Sequence, residues 1–206
     1  MKKIDGLKVI KYSLGLLAAA VFAVLSALCL SGVIEVLAQE DLKTATSCSF
    51  VIPNEFVPGP EKGLFINKNH PMESSSIKYS YYDNEKDKIL TNREKAAFLA
   101  SGEMEIIDES LNLTKEIYQE TMSAAYDNAY QEKVGFKVEK FEKIKVDGYP
   151  GFKIVSSYQP TDEEVIHQTV YMLISRYRMF TVTYQRAEDD DCEEFFENSA
   201  ATIHLR

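Results

Sequence analysis

Residues 12–34 form a run of 23 positions without a single charged side chain. As a helix rising 1.5 Å per residue, the run extends about 34 Å, enough to cross a hydrocarbon core of about 30 Å. A buried helix of a water-soluble domain seldom runs this long without a charge. The run therefore divides the chain, and any folded domain must be built from the residues C-terminal to it. Lys2, Lys3, Lys8 and Lys11 precede the run, whereas Glu35, Glu40 and Asp41 come after it. By the positive-inside rule, this asymmetry keeps the N-terminus in the cytoplasm and sends the remainder out.

Two fates of the run are open. As a signal peptide it has a basic segment over 1–13, an apolar core over 14–30 and a break at Ser31-Gly32. Val36 and Ala38 then stand at the −3 and −1 positions of a cleavage between Ala38 and Gln39. Uncleaved, the same run is a membrane anchor with its C-terminal side outside. Lipid attachment at Cys29 fits poorly, because Leu28 stands where that signal needs a small residue. The expected organisation is 1–38 as signal peptide or membrane anchor, 39–46 as linker and 47–206 as one domain. The location is then the cell membrane, or the exterior after cleavage.

The first 38 residues hold four lysines and two carboxylates, which leaves 19 basic and 30 acidic residues in the remainder. So acidic a domain repels phosphate backbones and excludes nucleic acid as a natural partner. The exported part contains two cysteines, Cys48 near its start and Cys192 near its end. In an oxidising compartment they are candidates for a disulfide closing nearly the whole domain, stabilising by about 4–5 kcal/mol on the loop-entropy model. The alternative is two separate thiols.

The pattern along the domain mixes strands and helices. Ser49 and Val51 alternate with Phe50 and Ile52 up to Pro53, where a strand must stop or lie at an edge. Two prolines and a glycine over 57–62 read as a turn, 63–67 as a short strand and 76–82 as an alternating one. Thr91 and Glu94 have capping-box spacing before an apolar segment, which predicts a helix there. A second helix is expected over 113–130, with Tyr118, Met122, Ala125 and Ala129 on its apolar stripe. Strands are expected over 136–146, then a turn at 147–151, a strand over 152–158 and another over 165–175. The last of these is apolar on both alternating sets, so it belongs inside a sheet covered on both faces. Arg176-Tyr177-Arg178 makes a tight return into 179–185. A final helix from about Asp191 turns Phe195, Phe196, Ser199 and Ile203 inward.

The stretch Asp147-Gly148-Tyr149-Pro150-Gly151-Phe152-Lys153-Ile154 is followed by the strand pair through Gln168-Thr169-Val170-Tyr171 and Phe180-Thr181-Val182-Thr183-Tyr184. A closing helix carries Phe196, Ser199, Thr202 and Ile203, and Phe50-Val51-Ile52-Pro53 opens the domain. Together these resemble the PsbP/Mog-like fold over residues 47–206. The resemblance implies an α+β domain, an antiparallel sheet with helices on both faces in an α/β/α sandwich, preceded here by the N-terminal hydrophobic helix. Proteins of that fold are mostly non-catalytic, among them photosystem accessory subunits, a binder of a small GTPase and bacterial lipoproteins.

No constellation of catalytic, cofactor or metal residues stands out. His70 precedes Pro71 in a loop, His167 lies on a strand and His204 at the end of the last helix, none with a second ligand at metal spacing. The acidic group Glu188, Asp189, Asp190, Asp191, Glu193 and Glu194 lacks the spacing and glycine of a calcium loop and sits where acids complement a helix dipole. Ser74, Ser75 and Ser76 lack a nucleophile elbow, and Glu103, Glu105 and Asp108 show no glycosidase pairing. The expectation is an exported, cell-surface, non-catalytic domain that binds an unknown protein or small ligand, without a cofactor. The alternatives are a surface hydrolase, which needs His70 or His167 gathered with carboxylates, and a structural subunit of a membrane complex.

Overall fold

The computed structural model describes residues 45–69, 75–83, 109–176 and 178–206. Nine strands, two α-helices and a single 3-10 turn (Glu109–Asn112) are found among them. The expected signal or anchor run, its cleavage point at Ala38 and Gln39, and the helix predicted after Thr91 lie outside the described residues. Among the described residues no helix is long and apolar enough to cross a membrane.

Seven strands form one antiparallel sheet in the order β2 (Phe56–Pro58), β3 (Leu64–Asn67), β4 (Ser76–Asp83), β8 (Arg178–Ala187), β7 (Ile166–Ile174), β6 (Tyr149–Tyr158), β5 (Lys137–Val146). The doubly apolar β7 lies inside the sheet between β6 and β8, as its pattern requires. Both sheet edges are guarded. The edge strand β5 carries Lys137, Lys140, Lys143 and Lys145 and a bulge between Val138 and Lys140, and β2 is three residues long and ends in Pro58. Lysines, bulges, short strands and prolines all discourage pairing with another chain.

Two buried clusters alternate along the strands. Phe152, Ile154, Val170, Met172 and Ile174 join one, together with Tyr118, Met122 and Tyr126 of α1 (Lys115–Tyr130). Leu173, Phe180, Val182 and Tyr184 join the other, with Phe196 of α2 (Glu193–Ala200). On β7, neighbouring residues thus serve different clusters, which is why that strand is apolar throughout.

Several predicted elements shift. The turn before β6 is two residues, Asp147 and Gly148, both at positive φ (52° and 84°), and β6 already begins at Tyr149. Asp-Gly at two positive φ values makes a tight hairpin turn, so Val146 pairs with Tyr149 and Lys145 with Pro150. Gly151 is required by packing rather than by turning, because a Cβ there would stand 2.3 Å from the Met172 carbonyl oxygen of β7. The α1 stripe ends on buried Tyr126 rather than Ala129, and Thr114 caps the helix by accepting from Ile117 N–H at 3.3 Å. On α2, Phe195 is exposed rather than inward; only Phe196 and Ser199 of that helix are buried. The opening segment contributes only the two-residue β1 (Cys48–Ser49), paired outside the main sheet with β9 (His204–Leu205).

The sheet has two unlike ends. At one end lie the β5–β6 and β7–β8 turns, with the chain's approach at Ala45 held against them; we call it the turn end. Ala45 N–H donates to Ser175 Oγ (2.7 Å), and its carbonyl accepts from Arg178 Nη1 (3.2 Å). At the other end, the loop end, segments 131–136, 159–165 and 188–192 connect the elements.

Candidate functional site

The two cysteines singled out in the sequence are both free thiols, so the bridge between Cys48 and Cys192 is not made in this structure. Cys48 sits half-buried on β1 opposite Leu205, and burial pushes its thiol up to about 11. Cys192 is buried at the start of α2. Its sulfur accepts from Asn67 Nδ2 (3.7 Å) and donates to Ser75 Oγ (3.8 Å). The Ser75 hydroxyl in turn donates to the Asp190 carboxylate, which also accepts from Ala187 N–H at 3.2 Å. Burial raises the Cys192 thiol above its ordinary value. A nucleophilic cysteine needs the thiolate, and this arrangement favours the protonated form. The set therefore works as an internal tie between β3, β4 and the 188–192 loop.

The acidic group divides by position. Asp190 turns inward to this tie, Glu193 pairs with Arg186, and Glu193 and Glu194 occupy the first turn of α2, where they complement its dipole. Asp189 shares a hydrogen bond with Glu164, and that bond, with the charges of Asp189, Asp190 and Glu188, raises the Glu164 carboxyl. Among the described residues no group of three or more His, Cys, Asp and Glu side chains is arranged to hold a metal ion.

The histidines are not brought together. His167 stands on β7 between Ser157 of β6 and Arg186 of β8. His204 lies not at a helix end but on β9, its Nδ1 3.1 Å from Asp147 Oδ2. The cause is that α2 stops at Ala200, which leaves Ile203 to enter the core and His204 to pair with the β5–β6 turn. His70, Ser74 and the Glu103, Glu105 and Asp108 group lie outside the described residues.

The arrangement that sequence reading missed lies beneath α1. Ser156, Gln168 and Gln185 stand side by side on the central strands, Ser156 opposite Gln168 and Gln168 opposite Gln185. Gln168 Nε2 donates to the Tyr126 hydroxyl (2.7 Å) and to Gln185 Oε1 (2.8 Å), which also accepts from the Tyr158 hydroxyl at 3.5 Å. The Tyr130 and Tyr158 hydroxyls are 3.4 Å apart. Burial raises all three phenols, so they stay neutral donors. Three side-chain oxygens of this seam, Ser156 Oγ, Gln168 Oε1 and Thr183 Oγ1, are fully buried with no hydrogen-bond partner. A buried polar group left unpaired costs about 1–3 kcal/mol, so three on adjacent strands are a cost that the core beneath α1 carries. The legible signal was parity: Gln168 occupies the same inward set as Ile166 and Val170, where an apolar residue is expected.

Neither a protein-family model nor a curated protein sequence matches the chain. Among solved structures, the chain is similar to the solution structure of cyanobacterial PsbP (CyanoP) from Synechocystis, with a TM-score of 0.51 and 15% identity, over 85% of this chain and 99% of that one. The antiparallel sheet with its two helices is thus a PsbP-like fold. A protein of unknown function from Pseudomonas aeruginosa, described as a putative regulator, is aligned at a TM-score of 0.39 and 13% identity, over 82% of this chain and 87% of its own. A Bacteroides thetaiotaomicron structure is aligned at 0.39 and 10%, over 77% of this chain and 45% of its own.

Proposed function

We propose that this chain is an exported, cell-surface PsbP-like domain that binds a small polar ligand without performing chemistry on it. The observation that carries the reading is the buried seam, where Gln168 Oε1, Ser156 Oγ and Thr183 Oγ1 have no partner. Gln168 Oε1 accepts only, so the complementary ligand presents a hydroxyl or amine hydrogen, while the two hydroxyls donate or accept. In this reading residues 1–38 export or anchor the domain, 39–46 link it, and 47–206 form an α/β/α sandwich with one helix layer on each face. The cluster memberships of α1 and α2 support that layering. The raised thiols and the separated His167 and His204 supply no activated nucleophile, which favours binding over hydrolysis.

The test uses the chain without its first 38 residues. A panel of small polyols, amines and amides is screened by thermal unfolding. A ligand at a hundred times its Kd stabilises by about 2.7 kcal/mol, several degrees in Tm. The shift is expected to vanish in Gln168→Met. Turnover of peptide, glycan or ester libraries by the same protein would sink the reading.

A further inference from the structure

We infer that the solvent face of β5, β6 and β7 is a docking floor for an acidic polysaccharide of the uronate type. The inference adds a second surface to the reading proposed above and takes from it only the extracellular setting in which such a glycan is met. Directly opposite residues of an antiparallel pair share a face. Lys137, Ser157 and His167 thus form one row across the three strands, and Lys140, Val155 and Thr169 the next. These rows face away from α1, whose side of the sheet takes Val138, Ile154 and Val170. The rest of their face is closed. Over β8, the Phe196 ring of α2 lies 5.2 Å from that of Tyr184, and Ser199 Oγ lies 3.0 Å from the Tyr184 hydroxyl. At the turn end, Ala45, Ile203 and Leu205 cluster with Tyr149 and Leu173. The rows themselves stay half-buried or exposed. They make a floor about 10 Å wide across the strands and about 14 Å long from His167 to Tyr171.

The floor offers many hydrogen-bonding heads and few charges. None of the described hydrogen bonds engages the His167 imidazole or the hydroxyls of Thr169 and Tyr171, and none of the described ion pairs engages Lys137, Lys140 or Lys153. Lys153 stands opposite Glu142, yet its ammonium lies over the Tyr171 ring, 5.6 Å from the centroid. The ring holds that charge on the floor instead of letting the long side chain swing into water, so less entropy is lost when an anion docks. Glu139, at the bulge, accepts from the Ser157 hydroxyl at 3.0 Å. Three lysines against Glu139 and Glu142 make the floor an exception in a domain of 19 basic and 30 acidic residues.

A uronate chain matches this set. Its hydroxyls donate and accept, as do imidazole and hydroxyl side chains, and its carboxylates only accept, as ammonium groups only donate. Val155, at the centre of the floor, gives the C–H face of a sugar ring an apolar contact. An acidic peptide is matched less well. The backbones of β6 and β7 are paired on both sides, so no strand can be added there, and Val155 is the one aliphatic side chain in these rows to seat an anchor.

The test uses the full chain in zwitterionic detergent, passed over biosensor surfaces carrying polygalacturonate, its uncharged methyl ester or polyglutamate. Polygalacturonate should bind about tenfold more tightly than either of the others, which lack its charge or its hydroxyls. Lys140→Gln and Lys153→Gln should each weaken that binding about three- to fivefold and flatten its dependence on salt. Tyr171→Phe keeps the ring beneath Lys153 and should weaken it about fivefold, the weight of one hydrogen bond, with the salt dependence unchanged. Lys143→Gln, on the α1 side of the same strand, should change nothing, and all four variants should keep the parent's urea midpoint. Gln168→Met should leave glycan binding intact, so failure of the buried seam and failure of this floor are read separately. Equal binding to polyglutamate overturns the glycan in favour of an acidic protein partner. Equal binding to the ester, no binding to polygalacturonate, or an equal loss in Lys143→Gln overturns the floor itself.

Discussion

At the turn end each described carboxylate has a partner of opposite character. Asp83 faces the Arg178 guanidinium, and Asp147 accepts from the Leu205 backbone and meets His204. At the loop end carboxylates face one another: Glu164 shares a hydrogen bond with Asp189, and Glu163 is raised first by burial and then by Glu132. The same sheet thus closes one end with paired charges and leaves like charges together at the other. The paired end is where distant parts of the chain are knitted, since Ala45, β9, and the β5–β6 and β7–β8 turns meet there. The loop end is held by the set of Cys192, Asn67, Ser75 and Asp190 and by Glu132, which accepts from Thr161 N–H at 2.7 Å. Charge pairing builds the first end, whereas charge crowding is tolerated at the second.

The largest effect that can break this comparison comes from Arg178. Its side chain and that of Asp83 are 8% and 10% exposed, so Arg178→Ala takes the guanidinium from a buried carboxylate and also frees the Ala45 carbonyl. A loss of about 3–5 kcal/mol is expected in urea unfolding. Adding Asp83→Asn on that background should return part of the loss, because the uncompensated charge is then gone. Arg178→Lys should not rescue fully, because one ammonium cannot reproduce the fork that reaches both Asp83 and Ala45. A loss below about 1 kcal/mol, the range of an exposed ion pair, would mean that the turn end owes little to its paired charges.

A smaller effect is expected at the loop end and depends on which acid is changed. Asp190→Ala leaves the Ser75 hydroxyl and Ala187 N–H without their acceptor and should lose about 1–3 kcal/mol. Asp189→Asn, one residue away, removes a charge that opposes Glu164 and leaves an amide that still hydrogen-bonds it, and should stay within about 0.5 kcal/mol of the parent. Equal losses from the two variants would erase the distinction between a tie and a tolerated cluster.

Much of this was legible in sequence where one physical rule acted alone. The double apolar pattern placed β7 inside the sheet, and Arg176-Tyr177-Arg178 marked the β7–β8 return. Pattern failed where tertiary demands overrode it. Phe195 fits an inward helix stripe yet is exposed, because an eight-residue helix buries one narrow line through Phe196 and Ser199. His204 looked like a helix end, but its partner Asp147 is 57 residues away and no local rule links them. The seam around Gln168 was hidden for the opposite reason: a lone glutamine in an apolar strand is ordinary until its cross-strand neighbours prove to be Ser156 and Gln185.

The smallest effect has two signs and needs only acid. Glu163 and Glu164 have folded pKa values above their ordinary 4.5, so the folded chain binds those protons more readily than the unfolded chain. As pH falls from neutral through their raised values to about 4.5, the loop end gains stability, and below that the gain is complete. Asp147 is held below its ordinary 3.8, first by the Leu205 N–H and then by His204. Its contribution is whole above 3.8 and is lost as pH falls through the lower folded value. Mild acid therefore relieves Glu163 and Glu164, before stronger acid loosens Asp147 at the turn end and Glu132, held low by its hydrogen bonds from Thr161, at the loop end. The urea midpoint measured against pH should rise and then fall. Glu164→Gln should flatten the rise, and Asp147→Asn, which tolerates the positive φ of that turn, should flatten the fall. If both variants leave the profile unchanged, the carboxylates at neither end are coupled to folding, and the contrast between the ends is one of composition alone.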